Sequence, residues 1–150
     1  MKRVYSIVLL LVLSLLVAGC SSGGTDLMNY YGSDYQAVKP NFGILSSRGD
    51  DGNGNSTYTF GGMTVSVDSA DTIVGIDLIF ANETEERFHV LGISQASTVS
   101  DLTKKFGDNG TAGTAEGYAG TLTYGYADKA AQVTYYYDSE NKIQRISVHS

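Results

Sequence analysis

Met63-Thr-Val-Ser-Val-Asp-Ser-Ala-Asp-Thr-Ile-Val-Gly-Ile-Asp-Leu-Ile-Phe80 and Val133-Thr-Tyr-Tyr-Tyr-Asp-Ser-Glu-Asn-Lys-Ile-Gln-Arg-Ile-Ser-Val-His-Ser150 are the two stretches on which the architecture turns. They align at an offset of 70, where Thr64, Asp68, Ser69, Ile73 and Ile76 meet Thr134, Asp138, Ser139, Ile143 and Ile146. In the first stretch Met63, Val65 and Val67 alternate with Thr64, Ser66 and Asp68, the period of a strand with one buried face. Asp68 to Asp71 and Asp138 to Asn141 read as tight turns, because an Asx side chain accepts hydrogen bonds from the backbone just ahead of it. Beyond them Val74, Ile76, Leu78 and Phe80 alternate again, with Ile146 and Val148 as counterparts. The chain therefore spells the same strand, turn and strand twice.

The correspondence extends upstream at an offset of 64, matching Ser33 to Gly43 with Ser97 to Gly107, and Thr57 to Gly61 with Thr121 to Gly125. Across 34 aligned positions 11 are identical, with one six-residue insertion between Gly125 and Val133. Val99, Leu102 and Phe106 lie at i, i+3 and i+7 and predict a short amphipathic helix. Thr98 with Asp101 forms a capping box, Lys104 and Lys105 suit its C-terminal end, and Gly107 can close it in the left-handed conformation. Tyr35, Val38 and Phe42 repeat the stripe, with Pro40 expected to shorten or kink that helix. Arg87 to Ile93 reads as one more strand, reached through Asn82 to Glu86. The expected fold class is α+β: two tandem repeats, 31–93 and 94–150, each a short helix packed on a three- to four-stranded antiparallel sheet. A unit of about 60 residues is marginal alone, so the two are expected to pack together.

Gly92-Ile-Ser94, Ser97-Thr98, Asp101-Leu102 and Phe106-Gly107, followed by the Tyr-rich strands 122–126, 133–138 and 143–148, carry a resemblance. This part of the chain resembles the β-lactamase-inhibitor-protein fold, which small outer-membrane lipoproteins of the SmpA/OmlA type use as a single copy. The resemblance implies a non-enzymatic, protein-binding role. It departs from the inhibitors in cysteine content: their repeats carry a disulfide each, and this chain has one Cys in all.

The N-terminus has a reading of its own. Met1-Lys2-Arg3 is cationic and Val4 to Ala18 is apolar, too short to cross a hydrocarbon core of ~30 Å and the right length for a signal-peptide core. It ends in Val17-Ala18-Gly19-Cys20, which looks like a bacterial lipobox. The expectation is a signal peptide over 1–19 and a diacylglycerol on Cys20, two acyl chains being enough for stable membrane anchoring. A flexible tether, 20–30, then leads to the repeats. Removing the signal takes away Lys2 and Arg3 and leaves 8 basic against 16 acidic residues, a net charge of about −8. That balance argues against nucleic acid as a partner, since phosphate contacts need a basic surface. One Cys excludes an internal disulfide and a Cys-based zinc site.

Local chemistry is sparse. His89 and His149 have no nucleophile motif near them. Asp51 starts an EF-hand-like run but meets Ser56 and Gly62 where Gly and Glu are required. Arg48-Gly49-Asp50 spells an adhesion tripeptide in an expected loop, and Glu83, Glu85 and Glu86 read as solvated charge in a turn. The tyrosines of the second repeat are the better candidates, because Tyr offers area and a hydroxyl at low entropic cost. Tyr135 and Tyr137 are expected to face the helix and Tyr136 the open face, while the insertion makes the 126–131 hairpin project. The candidate partner-binding set is Tyr124, Tyr126, Asp128, Lys129 and Tyr136. The functional expectation is a membrane-anchored extracytoplasmic lipoprotein, non-catalytic and without cofactor or metal. It would bind a protein or a cell-wall polymer in an inhibitor-like manner, with carbohydrate or small-ligand binding as the alternative.

Overall fold

The structure is a computed structural model that describes residues 24–80 and 87–150. The signal peptide, Cys20 and the carboxylates Glu83, Glu85 and Glu86 lie outside the described residues. In chain order the strands are β1 (Thr25–Asp26), β2 (Ser47–Asp50), β3 (Ser56–Phe60), β4 (Met63–Val67), β5 (Ile73–Ile79), β6 (Phe88–His89), β7 (Thr111–Gly113), β8 (Gly120–Tyr126), β9 (Ala131–Tyr137) and β10 (Ile143–His149). Two α-helices, α1 (Tyr35–Val38) and α2 (Val99–Phe106), accompany them.

The strands do not divide into two sheets. Eight of them form one antiparallel sheet in the order β2-β3-β4-β5-β10-β9-β8-β7, and only the parallel pair β1-β6 stands apart. This corrects the expectation of two repeats, each a helix on its own sheet. The reason lies at the seam. β5 and β10 pair from Arg145↔Ile79 to His149↔Gly75, which sets Leu78 opposite Ile146 and Ile76 opposite Val148. All four side chains are at most 2% exposed. Either half alone would leave that apolar strand as a bare edge, a surface that favours pairing.

The helices are also too small to serve as the expected packing layers. α1 has four residues and passes into a 3₁₀ turn, Lys39–Asn41, because Pro40 stops the α-helical ladder. α2 has eight, starts in the expected Thr98–Asp101 capping box and ends at Gly107, whose φ of 84° and ψ of −176° suit glycine but are not the left-handed helical pair expected. The remaining cover comes from segments outside the two α-helices, among them the 3₁₀ turn Leu27–Asn29, carrying Leu27, Met28, Tyr31, Phe88, Val90 and Ile93, all buried. Arg87 to Ile93 is not the expected full strand: β6 is two residues long, and Val90 and Ile93 bridge in a turn. Thr25 to Tyr30 belong to the domain, not to a tether. β1 pairs with β6, Asp26 accepts hydrogen bonds from the Met28 and Leu91 amides, and Leu27 and Met28 are buried.

What recurs at the offset of 70 is local. Asp68 Oδ1 accepts from the Ala70 and Thr72 amides, and Asp138 Oδ1 from the Glu140 and Lys142 amides. Both turns end in a positive φ, 59° at Asp71 and 62° at Asn141. Irregular register follows in each, so Ile73 and Ile143 are buried where simple alternation would place Val74. These bulges re-aim the strands that form the seam.

Candidate functional site

Alternation splits the sheet into two faces. On the packed face Tyr35 stacks on Tyr58 with centroids 4.4 Å apart, and Phe42 meets Phe60 at 5.4 Å. There too, Phe106 of α2 lies 6.0 Å from Tyr135 and 5.1 Å from Tyr124. Neither helix packs on the other face. Its middle register crosses all eight strands as Ser47, Thr59, Thr64, Asp77, Ser147, Thr134, Thr123 and Thr111. Hydroxyl pairs lock this row, at 3.0 Å between Thr59 and Thr64 and 2.9 Å between Thr123 and Thr134.

Beside that row sits a cluster of charge and aromatic surface. The Nε–H of Arg145 donates to Asp77 Oδ1 at 2.7 Å across the β5–β10 seam. Its guanidinium carbon lies 4.8 Å from the centroid of the Tyr136 ring, and Tyr118 packs on Tyr136 at 5.0 Å. The Arg145 and Asp77 side chains are 32% and 25% exposed, so the pair is held from both sides yet reachable. Burial works against the Arg145 charge, but the hydrogen bond and the charge of Asp77 outweigh it, with Tyr136 and Tyr118 adding to them, and raise its pKa above the usual arginine value.

The five candidate side chains do not form one surface. Tyr136 is on the open face, as expected, and Tyr135 is fully buried against α2. Tyr124 and Tyr126 share the packed face, since they pair with Val133 and Ala131. The Tyr124 hydroxyl donates to the Gly107 carbonyl at 3.3 Å; burial, with the Asp108 charge second, raises its pKa. The tip of the β8–β9 hairpin, Ala127 to Ala130, is exposed. Lys129 Nζ donates to the Tyr31 carbonyl at 2.8 Å and reaches that of Asn29 at 3.5 Å, tying the hairpin tip to the N-terminal segment. Asp128 is exposed beside it.

Arg145 and Asp77 are site residues that the sequence reading does not single out, and Tyr118, one of the second-repeat tyrosines, joins them from outside the partner-binding set. The signal was a charged residue at an outward position in each apolar strand, but only the β5–β10 pairing reveals that the two meet. Other expected sites settle into structural roles. The Gly92 amide donates to His89 Nδ1 at 3.0 Å, while His89 Nε2 lies 3.2 Å from the Gly24 carbonyl, so this histidine fastens the β1–β6 corner. Arg48-Gly49-Asp50 is an edge strand, not a loop, and Arg48 lies over Tyr58 at 5.6 Å. In the Asp51 loop, one carboxylate oxygen accepts from the Asn53 and Asn55 amides and the other from the Asn55 side chain. The Asn55 side-chain bond, foremost, lowers the Asp51 pKa, and the loop closes on itself. Among the described residues no group of three or more His, Cys, Asp or Glu is placed to hold a metal ion, and no helix is long and apolar enough to cross a membrane.

No protein-family model matches the chain, and no curated protein matches its sequence. Among solved structures it is similar to a DUF4309 family protein, YjgB, from Bacillus subtilis, at 19% identity and a TM-score of 0.50, over 79% of this chain and 78% of that one. It is also similar to a cysteine-rich secretory protein from Staphylococcus aureus, at 13% identity and a TM-score of 0.56, over 86% of this chain but only 46% of that one. At these identities the likeness extends to the fold alone.

Proposed function

We propose that this chain is a lipoprotein anchored through Cys20 on the extracytoplasmic side of a membrane, and that it holds a partner protein, without catalysis, against the open face of its sheet. The observation that carries the reading is the Arg145–Asp77–Tyr136–Tyr118 cluster. Arg and Tyr are the residue types in which binding energy concentrates, and here they are ordered before any partner arrives. Pre-ordering lowers the entropy lost on association. The lipobox ending at Cys20 supports the anchor, and the resemblance to inhibitor proteins agrees with a binding role.

The test is capture by full-length protein from native cells after mild crosslinking, with Tyr136→Ala and Lys129→Ala run in parallel. The reading expects one dominant protein whose recovery falls about tenfold or more with Tyr136→Ala, the loss of a contact worth over ~1.4 kcal/mol, and is unchanged with Lys129→Ala. Equal recovery by wild type and Tyr136→Ala overturns it.

A further inference from the structure

The open face has a second feature, two registers from the Arg145 cluster. The outer row crosses five strands as Ser66, Gly75, His149, Gln132 and Gly125. Four inter-strand steps of ~4.8 Å make it on the order of 19 Å long. A depression of about 330 Å³ lies at one end, against Ser66, Gly75 and His149 and beneath Asp51 and Asn55. A second, of about 390 Å³, lies at the other, where Gln132 and Gly125 meet Tyr126, Ala127, Ala130 and Ala131 at the hairpin tip. Ser150 borders both. Glycine keeps the row low: a Cβ on Gly125 would meet nothing within 4 Å, so its missing side chain leaves open space, not a packing contact.

We infer that this row is a binding groove for an uncharged, linear oligosaccharide. The backbone beneath it is already paired in the sheet ladder and the groove runs across the strands, so it cannot take a peptide by adding a strand. Hydrogen bonding must come from side chains, and the polar ones lining the two depressions are Asn53, Ser66, Tyr126, Gln132, His149 and Ser150, with Asp51 and Asn55 already bonded to each other. Such groups match the dense hydroxyls of a sugar chain. Charge narrows the ligand further. Asp51 is the one charged side chain lining either depression, no lysine or arginine joins it, and the whole chain carries a net charge of −6. A phosphate- or carboxylate-bearing polymer finds no counter-charge there, whereas a neutral glycan needs none.

The experiment is an amide-shift titration of the isotope-labelled full chain, in a zwitterionic detergent, with the uncharged tetramer of N-acetylglucosamine. The expected result is a saturable shift centred on Gly75, His149, Gln132 and Gly125. Gly125→Val places a branched side chain in the open space at a strand position that tolerates it, and is expected to weaken binding about tenfold or more with unchanged melting. Tyr136→Ala is expected to leave this affinity unchanged, which separates the groove from the protein-binding cluster. No saturable shift up to ~10 mM tetramer overturns the inference, as does a Gly125→Val variant that binds like wild type. A poly(glycerol phosphate) oligomer that moves the same amides more tightly than the neutral tetramer overturns the assignment of ligand class.

Discussion

Truncating Leu78 to Ala tests whether the sheet is one structure. Leu78 is fully buried and lies directly opposite Ile146, its partner from the other half of the chain. The change removes three carbons, about 2.4 kcal/mol at ~0.8 kcal/mol each. Incomplete collapse of the space left behind raises the loss to about 3–4 kcal/mol. For a domain of this size that lowers the melting temperature by about 10 °C. The assay is urea unfolding followed in parallel by circular dichroism and by tyrosine fluorescence, which the chain's 11 Tyr and absent Trp make readable. A single sheet predicts one transition, coincident in both probes, shifted as a whole to lower urea with the same slope. Ile146→Ala should do the same from the other side. The double variant should depart from additivity by about 0.5–3 kcal/mol, because the two side chains share one contact. A biphasic curve, with one half melting early and the other at its wild-type midpoint, would falsify the single-sheet reasoning and restore two autonomous repeats.

Three further outcomes are expected. Among the described residues the buried Tyr135 hydroxyl has no hydrogen-bond partner, so Tyr135→Phe should stabilise the protein by about 1–3 kcal/mol in thermal or urea unfolding, and a loss of stability there would mean that the hydroxyl is satisfied. Thr98→Ala removes a cap that starts α2 and should cost about 1 kcal/mol; no measurable change would show that the helix is held by packing alone. Asp138 and Asp101 are held below the ordinary carboxylate value of 3.8 chiefly by the backbone N–H groups of Lys142 and Thr98 respectively, and Asp51 chiefly by the Asn55 side chain. Their folded pKa values lie below their unfolded ones, so the stability they contribute is complete above about pH 4–5 and is lost as the pH falls through the folded values. Melting temperatures measured from pH 7 to pH 2 should therefore fall in the acid limb, and Asp138→Asn should flatten that limb; an unchanged limb would sink the assignment.

Legibility in the sequence followed the range of each interaction. Hairpins, Asx turns, the capping box and the helix-facing position of Tyr135 are set by residues within about eight positions of one another, and periodicity reads them well. The joining of β5 to β10 is set by residues 66 to 74 positions apart, and nothing local marks which edge of a meander will be covered. Strand alternation placed Tyr136 correctly and could not place Tyr124 or Tyr126, because those depend on the register of β8 against β9. Thr25 to Asn29 has no strong periodicity and reads as tether, whereas distant partners at Phe88, His89 and Leu91 give it structure. The insertion predicts a long hairpin, and its tip is exposed, but nothing local marks that Lys129 there donates to the backbone carbonyls of Asn29 and Tyr31.

The seam and the proposed binding cluster are one construction. Asp77 and Arg145 stand on the strands that meet there, facing outward one position to either side of the level at which Leu78 and Ile146 face inward. Closing the seam therefore buries the apolar pair and assembles the ion pair in one step. The ion pair is partly exposed, so its own contribution to stability is small beside that of the apolar residues beneath it. Its value lies in position: Asp77 holds the Arg145 guanidinium over Tyr136, and Tyr118 packs on that ring. A lysine would keep the charge but lose the planar fork that engages a carboxylate and a ring together. Arg145→Lys is accordingly the sharper probe of the surface than any alanine. It should leave urea unfolding within about 0.5 kcal/mol of wild type while reducing capture of the partner, and equal loss of both would reduce the cluster to a stabilising device of the sheet.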